Sequence, residues 1–300
     1  MIGITIFIAA LVMLLFGFPV AFTFAGIGII FVILFADFNQ LDQIPFRIYS
    51  NMGDAGEGIV LMAIPLFIFM GLILQHTKLA EQLLESMGRL FGSVRGGVAI
   101  STIIVGALLA ASTGVVGASV VAMGLISLPV MLRYGYSKEL ATGTITAAGT
   151  LGQIIPPSII LIILGDVLNV PVGDLFRAAL IPGLILIGCY IIYIVIFCLL
   201  KPEAAPPIPV EDDSLSKTKI ILDALVAAVP PLLLILVVLG SIFTGFATPT
   251  ESSALGCVGA ILLAIMYRKF SFSMIWDSSN ETIKITAMVF AVLLGASVFS

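Results

Sequence analysis

Two short stretches of this chain concentrate small polar residues and glycine inside otherwise apolar runs. The first is Ala111-Ser112-Thr113-Gly114-Val115-Val116-Gly117-Ala118-Ser119, and the second is Gly149-Thr150-Leu151-Gly152-Gln153-Ile154-Ile155-Pro156-Pro157-Ser158. Ser112, Thr113 and Ser119 offer hydroxyl oxygens, as do Thr150 and Ser158, with an amide oxygen on Gln153. Neutral oxygen donors of this kind suit a hard cation such as Na⁺. Gly114, Gly117, Gly149 and Gly152 permit unwound backbone and close approach. Pro156-Pro157 stops a helix from re-forming across the second stretch. If each stretch breaks a helix, one arm ends on free carbonyls and the next begins on free amides, so a cation and an anion can be held at the same break. Gly106 and Gly124 are read as packing positions instead.

Other candidate chemistry is thinner. Thr248-Pro249-Thr250-Glu251 opens an apolar run, and Glu251 is read as a helix cap in preference to an ion-transfer group. His76 is the only histidine, and no Gly-x-Ser-x-Gly or paired-carboxylate set accompanies it, so an enzyme is not expected. Cys189, Cys198 and Cys257 lie in apolar runs without Cys-x-x-Cys spacing and read as small core residues. No Walker-type loop is present for ATP, so transport would draw on an ion gradient. The expected ion is Na⁺ only, with no other metal or cofactor.

These stretches need a solvent and a scaffold. Of the 300 residues, 60% are hydrophobic and 10% charged, against about 25% charged in soluble domains. Lipid must therefore surround most of the chain, as an all-α polytopic membrane protein. A net charge of −4 offers no basic stripe for nucleic acid. Ile2–Ala36 as one helix would run roughly 52 Å at 1.5 Å per residue, too long for a core of about 30 Å, and Gly17-Phe18-Pro19 divides it. Scaffold spans thus fill residues 2–75, followed by an interfacial helix over 77–95. A re-entrant hairpin over 98–132 and a broken span over 143–165 carry the two polar stretches. A span over 175–200 and a Pro-rich cytoplasmic linker over 201–219 follow. Further spans begin near Ile220, Ala247 and Thr282.

Basic residues fix the orientation. Asp37–Gly58 is acidic and reads as external, whereas Lys78, Arg89 and Arg95, Arg133 and Lys138, Lys201, Lys217 and Lys219, and Arg268 and Lys269 read as cytoplasmic. Basic residues on both flanks of 98–132 require both its ends on one side, which a re-entrant hairpin satisfies and a single crossing does not. An internal repeat is suggested by Pro19–Gly26 against Pro249–Gly256, and by Ala63–Gly71 against Ala287–Gly295. The first copy (1–200) starts outside and the second (220–300) inside, an inverted topology typical of secondary transporters. The second copy would need its own hairpin and broken span past residue 300, so the chain reads as the first part of a longer protein. On these grounds a solute carrier is favoured over a channel.

The motifs Gly17-Phe18-Pro19-Val20-Ala21, Ala63-Ile64-Pro65-Leu66-Phe67, Leu128-Pro129-Val130-Met131, Gly135-Tyr136, Gly152–Ser158 and Thr248-Pro249-Thr250-Glu251 together resemble the large membrane (M) subunit of tripartite ATP-independent periplasmic (TRAP) transporters. The resemblance implies an elevator-type carrier in the bacterial inner membrane. It implies Na⁺ at the hairpin tip and broken span, with a small organic acid or related solute beside it. The implied partners are a small four-span membrane subunit and a periplasmic binding protein. The alternative is a related carrier or channel that works without a binding protein. The tip here departs from the Gly-Ser-Ser type of many relatives.

Overall fold

The computed structural model describes residues 2–35, 42–53, 58–77, 79–113, 116–207 and 217–299. In chain order its α-helices are α1 (Ile2–Leu15), α2 (Val20–Phe35), α3 (Gln43–Gly53), α4 (Gly58–Leu61), α5 (Ala63–His76), α6 (Leu79–Phe91), α7 (Gly97–Thr113), α8 (Val116–Arg133), α9 (Lys138–Thr150), α10 (Ile159–Leu168), α11 (Val172–Leu200), α12 (Lys217–Phe243), α13 (Pro249–Met266) and α14 (Phe272–Phe299). No strand occurs among the described residues. In α11, α12, α13 and α14 the chain has helices long and apolar enough to cross a membrane. Large side chains such as Ile181, Leu184, Leu199 and Leu200 on α11 stand exposed, as a lipid-facing surface requires.

The chain forms two compact units. One contains residues 1–59 and 280–300. There α1 and α2 pack together across the Gly17–Pro19 break. The later part of α14 lies against α2: Gly28 meets the backbone of Val298, Gly295 meets that of Ala21, and the Phe24 and Phe299 rings are 5.1 Å apart.

The other unit runs from Val60 to Ser279. Its core centres on α5, which packs on both α7 and α13, with Ile64, Ile68, Met70, Ile73, Val98, Ile103 and Ala260 almost wholly buried. Helix α5 packs most extensively on α13, where the Cys257 Sγ donates to the Leu66 carbonyl at 3.1 Å. Helix α6 lies along α7 and α12. Arg177 of α11 donates to the carbonyl of Phe243, the last residue of α12, and its guanidinium stands 5.8 Å from that ring. A cation there complements the negative end of the helix dipole.

Two boundaries differ from the sequence reading. The helix expected from Gly143 begins at Lys138, because Ser137 caps it by accepting from the Leu140 N–H. The helix expected to begin near Thr282 starts earlier: α14 begins at Phe272, after Ser271, whose hydroxyl accepts from the Met274 N–H at 3.1 Å. Polar residues there mark the solvent the helix meets and do not interrupt it. Residues 208–216 of the linker lie outside the described residues.

Candidate functional site: a helical hairpin wedged by a broken helix

Helices α7 and α8 form the two arms of a hairpin and touch one another. Their outer ends are tied to one segment. The Gly96 N–H donates to the Ala205 carbonyl at 3.3 Å, and the Ser137 N–H donates to the Ala204 carbonyl at 2.8 Å. Both arms thus return to the same end of the unit. Between them the Tyr136 hydroxyl accepts from the Val98 N–H at 3.3 Å, which satisfies an amide that the first turn of α7 leaves free. Burial pushes the Tyr136 hydroxyl up to about 12, so it stays protonated.

Helix α9 packs on both arms. A Cβ on Gly106 of α7 would stand 2.5 Å from the Cβ of Ala148, and one on Gly149 would stand 2.9 Å from both Cα and N of Val120 on α8. Only hydrogen at these two positions lets the three backbones approach so closely. As a result α9 ends between the arms, four residues along α8 from its start at Val116.

The helix breaks at that point. Leu151–Gln153 make one 3-10 turn, a cis peptide joins Pro156 to Pro157, and α10 starts after Ser158. The Ser158 hydroxyl donates to the Gln153 carbonyl at 2.7 Å and accepts from the Leu161 N–H at 3.4 Å. It therefore clamps the two sides of the break. The Thr150 hydroxyl donates to the Ala147 carbonyl at 2.8 Å, leaving its oxygen lone pairs as acceptors. The Gln153 Oε1 is enclosed and has no hydrogen-bond partner among the described residues. A buried acceptor left open in this way costs about 1–3 kcal/mol, so it calls for a donor or a cation. Gly149, Gly152, Pro156, Pro157 and Ser158 of the same stretch are all buried.

In the hairpin tip, Ser119 is buried and Gly117 exposed. Ser112 and Thr113 close α7, while their side chains and all of Gly114 lie outside the described residues. The structure thus brings the broken span against the beginning of α8, beside the tip. The donors described there are neutral oxygens, which fit a monovalent hard cation better than a divalent one that favours carboxylates.

The third motif stands apart in role. Thr248 and Glu251 form a reciprocal cap on α13: the Glu251 carboxylate accepts from the Thr248 N–H and hydroxyl, each at 2.8 Å, and the Thr248 hydroxyl accepts from the Glu251 N–H at 3.3 Å. Pro249 opens the helix, and the Thr250 carbonyl accepts from the Ser253 hydroxyl at 2.7 Å. The Ser241 and Ser252 hydroxyls, 2.8 Å apart, join this turn to the end of α12. Sequence reasoning missed the ties at Gly96, Ser137 and Ala204–Ala205, because backbone hydrogen bonds between distant segments leave no compositional signal.

Residues 7–300 match the family model described as "Tripartite ATP-independent periplasmic transporter, DctM component". The chain belongs to the DctM family. It is similar to the ectoine TRAP transporter large permease protein TeaC of Halomonas elongata, 30% identical over 299 residues, covering 99% of this chain and 67% of that protein. It is also similar to the C4-dicarboxylate TRAP transporter large permease protein DctM of Pseudomonas aeruginosa, 33% identical over 250 residues, covering 82% of this chain and 56% of that protein. The sialic acid TRAP transporter large permease protein SiaM of Vibrio cholerae is 26% identical over 284 residues, covering 94% of this chain and 64% of that protein. The chain thus spans between roughly half and two thirds of the length of these DctM relatives. They are transport permeases and not enzymes. The family and the long apolar helices make this chain a multi-pass protein of the inner membrane.

Proposed function

We propose that this DctM-family chain is part of the large permease of a TRAP system that carries a small organic acid or related solute together with Na⁺. A periplasmic binding protein delivers the solute, and a small four-span subunit completes the membrane assembly. Family membership supports the system type. The observation that carries the site is the wedge of α9 between α7 and α8, which sets the enclosed Gln153 Oε1 and the Thr150 oxygen beside the hairpin. Na⁺ binds there, held by Gln153, Thr150 and unwound carbonyls, with Ser112, Thr113 and Ser119 of the tip contributing hydroxyls. Neutral oxygens bind Na⁺ weakly enough to release it on the other side, which a carrier requires. The solute takes its place next to the ion, where the positive helix starts after each break favour a carboxylate. Relatives named for C4-dicarboxylates, ectoine and sialic acid support a carboxyl-bearing solute.

An inverted repeat and an elevator movement are part of the same reading. Under the motif correspondence, α2 matches α13 and α5 matches the later part of α14. The packing supports it: α13 lies on α5 in one unit as α14 lies on α2 in the other.

The test is uptake by proteoliposomes containing the full-length permease, its small subunit and its binding protein. Uptake is expected only with an inward Na⁺ gradient. Thr150→Ala and Gln153→Leu are each expected to raise the Na⁺ concentration for half-maximal uptake. Equal uptake without Na⁺ would overturn the coupling, and unchanged Na⁺ dependence in both variants would overturn the site.

A further inference from the structure

The segment that ties the hairpin ends together also gathers charge. Gly96 and Ser137 bond to consecutive residues, Ala205 and Ala204, so Arg95 and Lys138, their chain neighbours, are held at adjoining points of one knot. Arg133 ends α8 just before it. Lys201 follows the last residue of α11, and its carbonyl accepts from the Ala204 N–H at 3.1 Å inside the same turn. All four cations are exposed. None of the four forms an ion pair with a described residue. Glu139 and Glu203 are the acidic residues of these three segments, also exposed, leaving four cations against two carboxylates.

The surroundings of the knot are those of a membrane interface. The Arg133 guanidinium stands 5.9 Å from the Tyr134 ring, and the Lys201 Nζ stands 5.6 Å from the Phe197 ring. Aromatic rings and long cationic side chains share the headgroup level of a bilayer. Immediately beyond them, Leu132, Leu199 and Leu200 are exposed, Leu200 at 76%. Cations with bare aliphatic side chains next to them in the chain match the two parts of a phospholipid, a phosphate head and acyl chains.

We propose that Arg95, Arg133, Lys138 and Lys201 form a binding site for the phosphate headgroup of an anionic phospholipid, with its acyl chains against Leu132, Leu199 and Leu200. A soluble anion would use the cations and leave the leucines bare. A zwitterionic lipid would use the leucines and bring its own cation against the four. Only an anionic lipid satisfies both. Because the knot holds both ends of the α7–α8 hairpin and the start of α9, the lipid braces the candidate transport site from the cytoplasmic end. The proposal is independent of which solute or ion is carried.

The test is a titration of the purified full-length permease in detergent with phosphatidylglycerol, phosphatidylcholine or inorganic phosphate, reading thermal stability and apparent affinity. Phosphatidylglycerol is expected to raise the midpoint, and the other two are not. Arg133→Gln with Lys201→Gln is expected to weaken phosphatidylglycerol binding about 30-fold, from about a fivefold contribution per cation near an anionic surface. High salt on the unaltered protein provides a second readout and is expected to abolish the lipid preference. An equal response to phosphatidylcholine, a response to phosphate alone, or a lipid preference that survives both the double substitution and high salt would overturn the proposal.

Discussion

Replacing Gly149 by alanine tests whether the hairpin and the broken helix really meet as described. The added Cβ would lie 2.9 Å from both Cα and N of Val120, and nearer still to one of its methyl groups. The methyl group can rotate away, but the backbone of α8 cannot. Overpacking costs about 1–3 kcal/mol, and a backbone clash belongs in the upper half of that range. Alanine regains about 1 kcal/mol of helix propensity over glycine. The net destabilisation is therefore about 1–2 kcal/mol. Gly143, earlier on α9, is the internal control, since a Cβ there meets nothing described within 4 Å. Gly143→Ala is expected to stabilise by about 0.5–1 kcal/mol. Unfolding of the two variants in mixed detergent micelles should differ by about 1.5–3 kcal/mol, with Gly149→Ala the weaker. Gly149→Ala should also need more Na⁺ for uptake, because α8 and Thr150 are pushed apart, whereas Gly143→Ala should not. Two equally stable variants with equal Na⁺ dependence would refute the close approach and the site built on it.

Two further substitutions separate structural from functional polar groups. Thr248→Ala removes the α13 cap and is expected to cost about 0.5–2 kcal/mol in thermal unfolding with no change in Na⁺ dependence; a loss of Na⁺ affinity would make Glu251 more than a cap. Tyr136→Phe leaves the Val98 N–H without its acceptor and is expected to cost about 1–3 kcal/mol. The Tyr136 hydroxyl is raised from 10.0 to about 12 in the folded chain. Its contribution is therefore complete below pH 10 and lost as pH rises towards 12, so the stability gap between the native protein and Tyr136→Phe should narrow across that interval. A gap that stays constant to pH 12 would contradict a buried, protonated Tyr136.

What could be read from the sequence depended on whether a feature is local. The Gly17–Pro19 division and the break at Gly152–Ser158 are written in glycine and proline, whose backbone effects act within a few residues. The Thr248–Glu251 cap was legible for the same reason, since both halves of a capping box lie three residues apart. Apolar runs were a poorer guide to helix ends. Helix α9 begins five residues before Gly143 and α14 ten before Thr282, at Ser137 and Ser271 caps that hydropathy does not register. The wedge of α9 was not legible at all. Small residues at 106 and 149 announce a close approach, but not that Ala148 and Val120 are the partners. The open acceptor on Gln153 was equally hidden, because it depends on what distant segments fail to supply.

The placement of charge gives these features a common logic. Glu251 belongs to a helix cap, and its carboxylate is occupied by the Thr248 N–H and hydroxyl. The break itself is described only by hydroxyl, amide and carbonyl oxygens. A carboxylate there would remain charged whenever the ion left, and a bare charge in a low-dielectric interior costs several kcal/mol. A neutral oxygen left open costs less, about 1–3 kcal/mol. Under the proposed function, a site that must be vacated at both faces of a membrane is therefore best built from residues such as Thr150 and Gln153, with the fixed charges left to the proposed lipid site at Arg95, Arg133, Lys138 and Lys201.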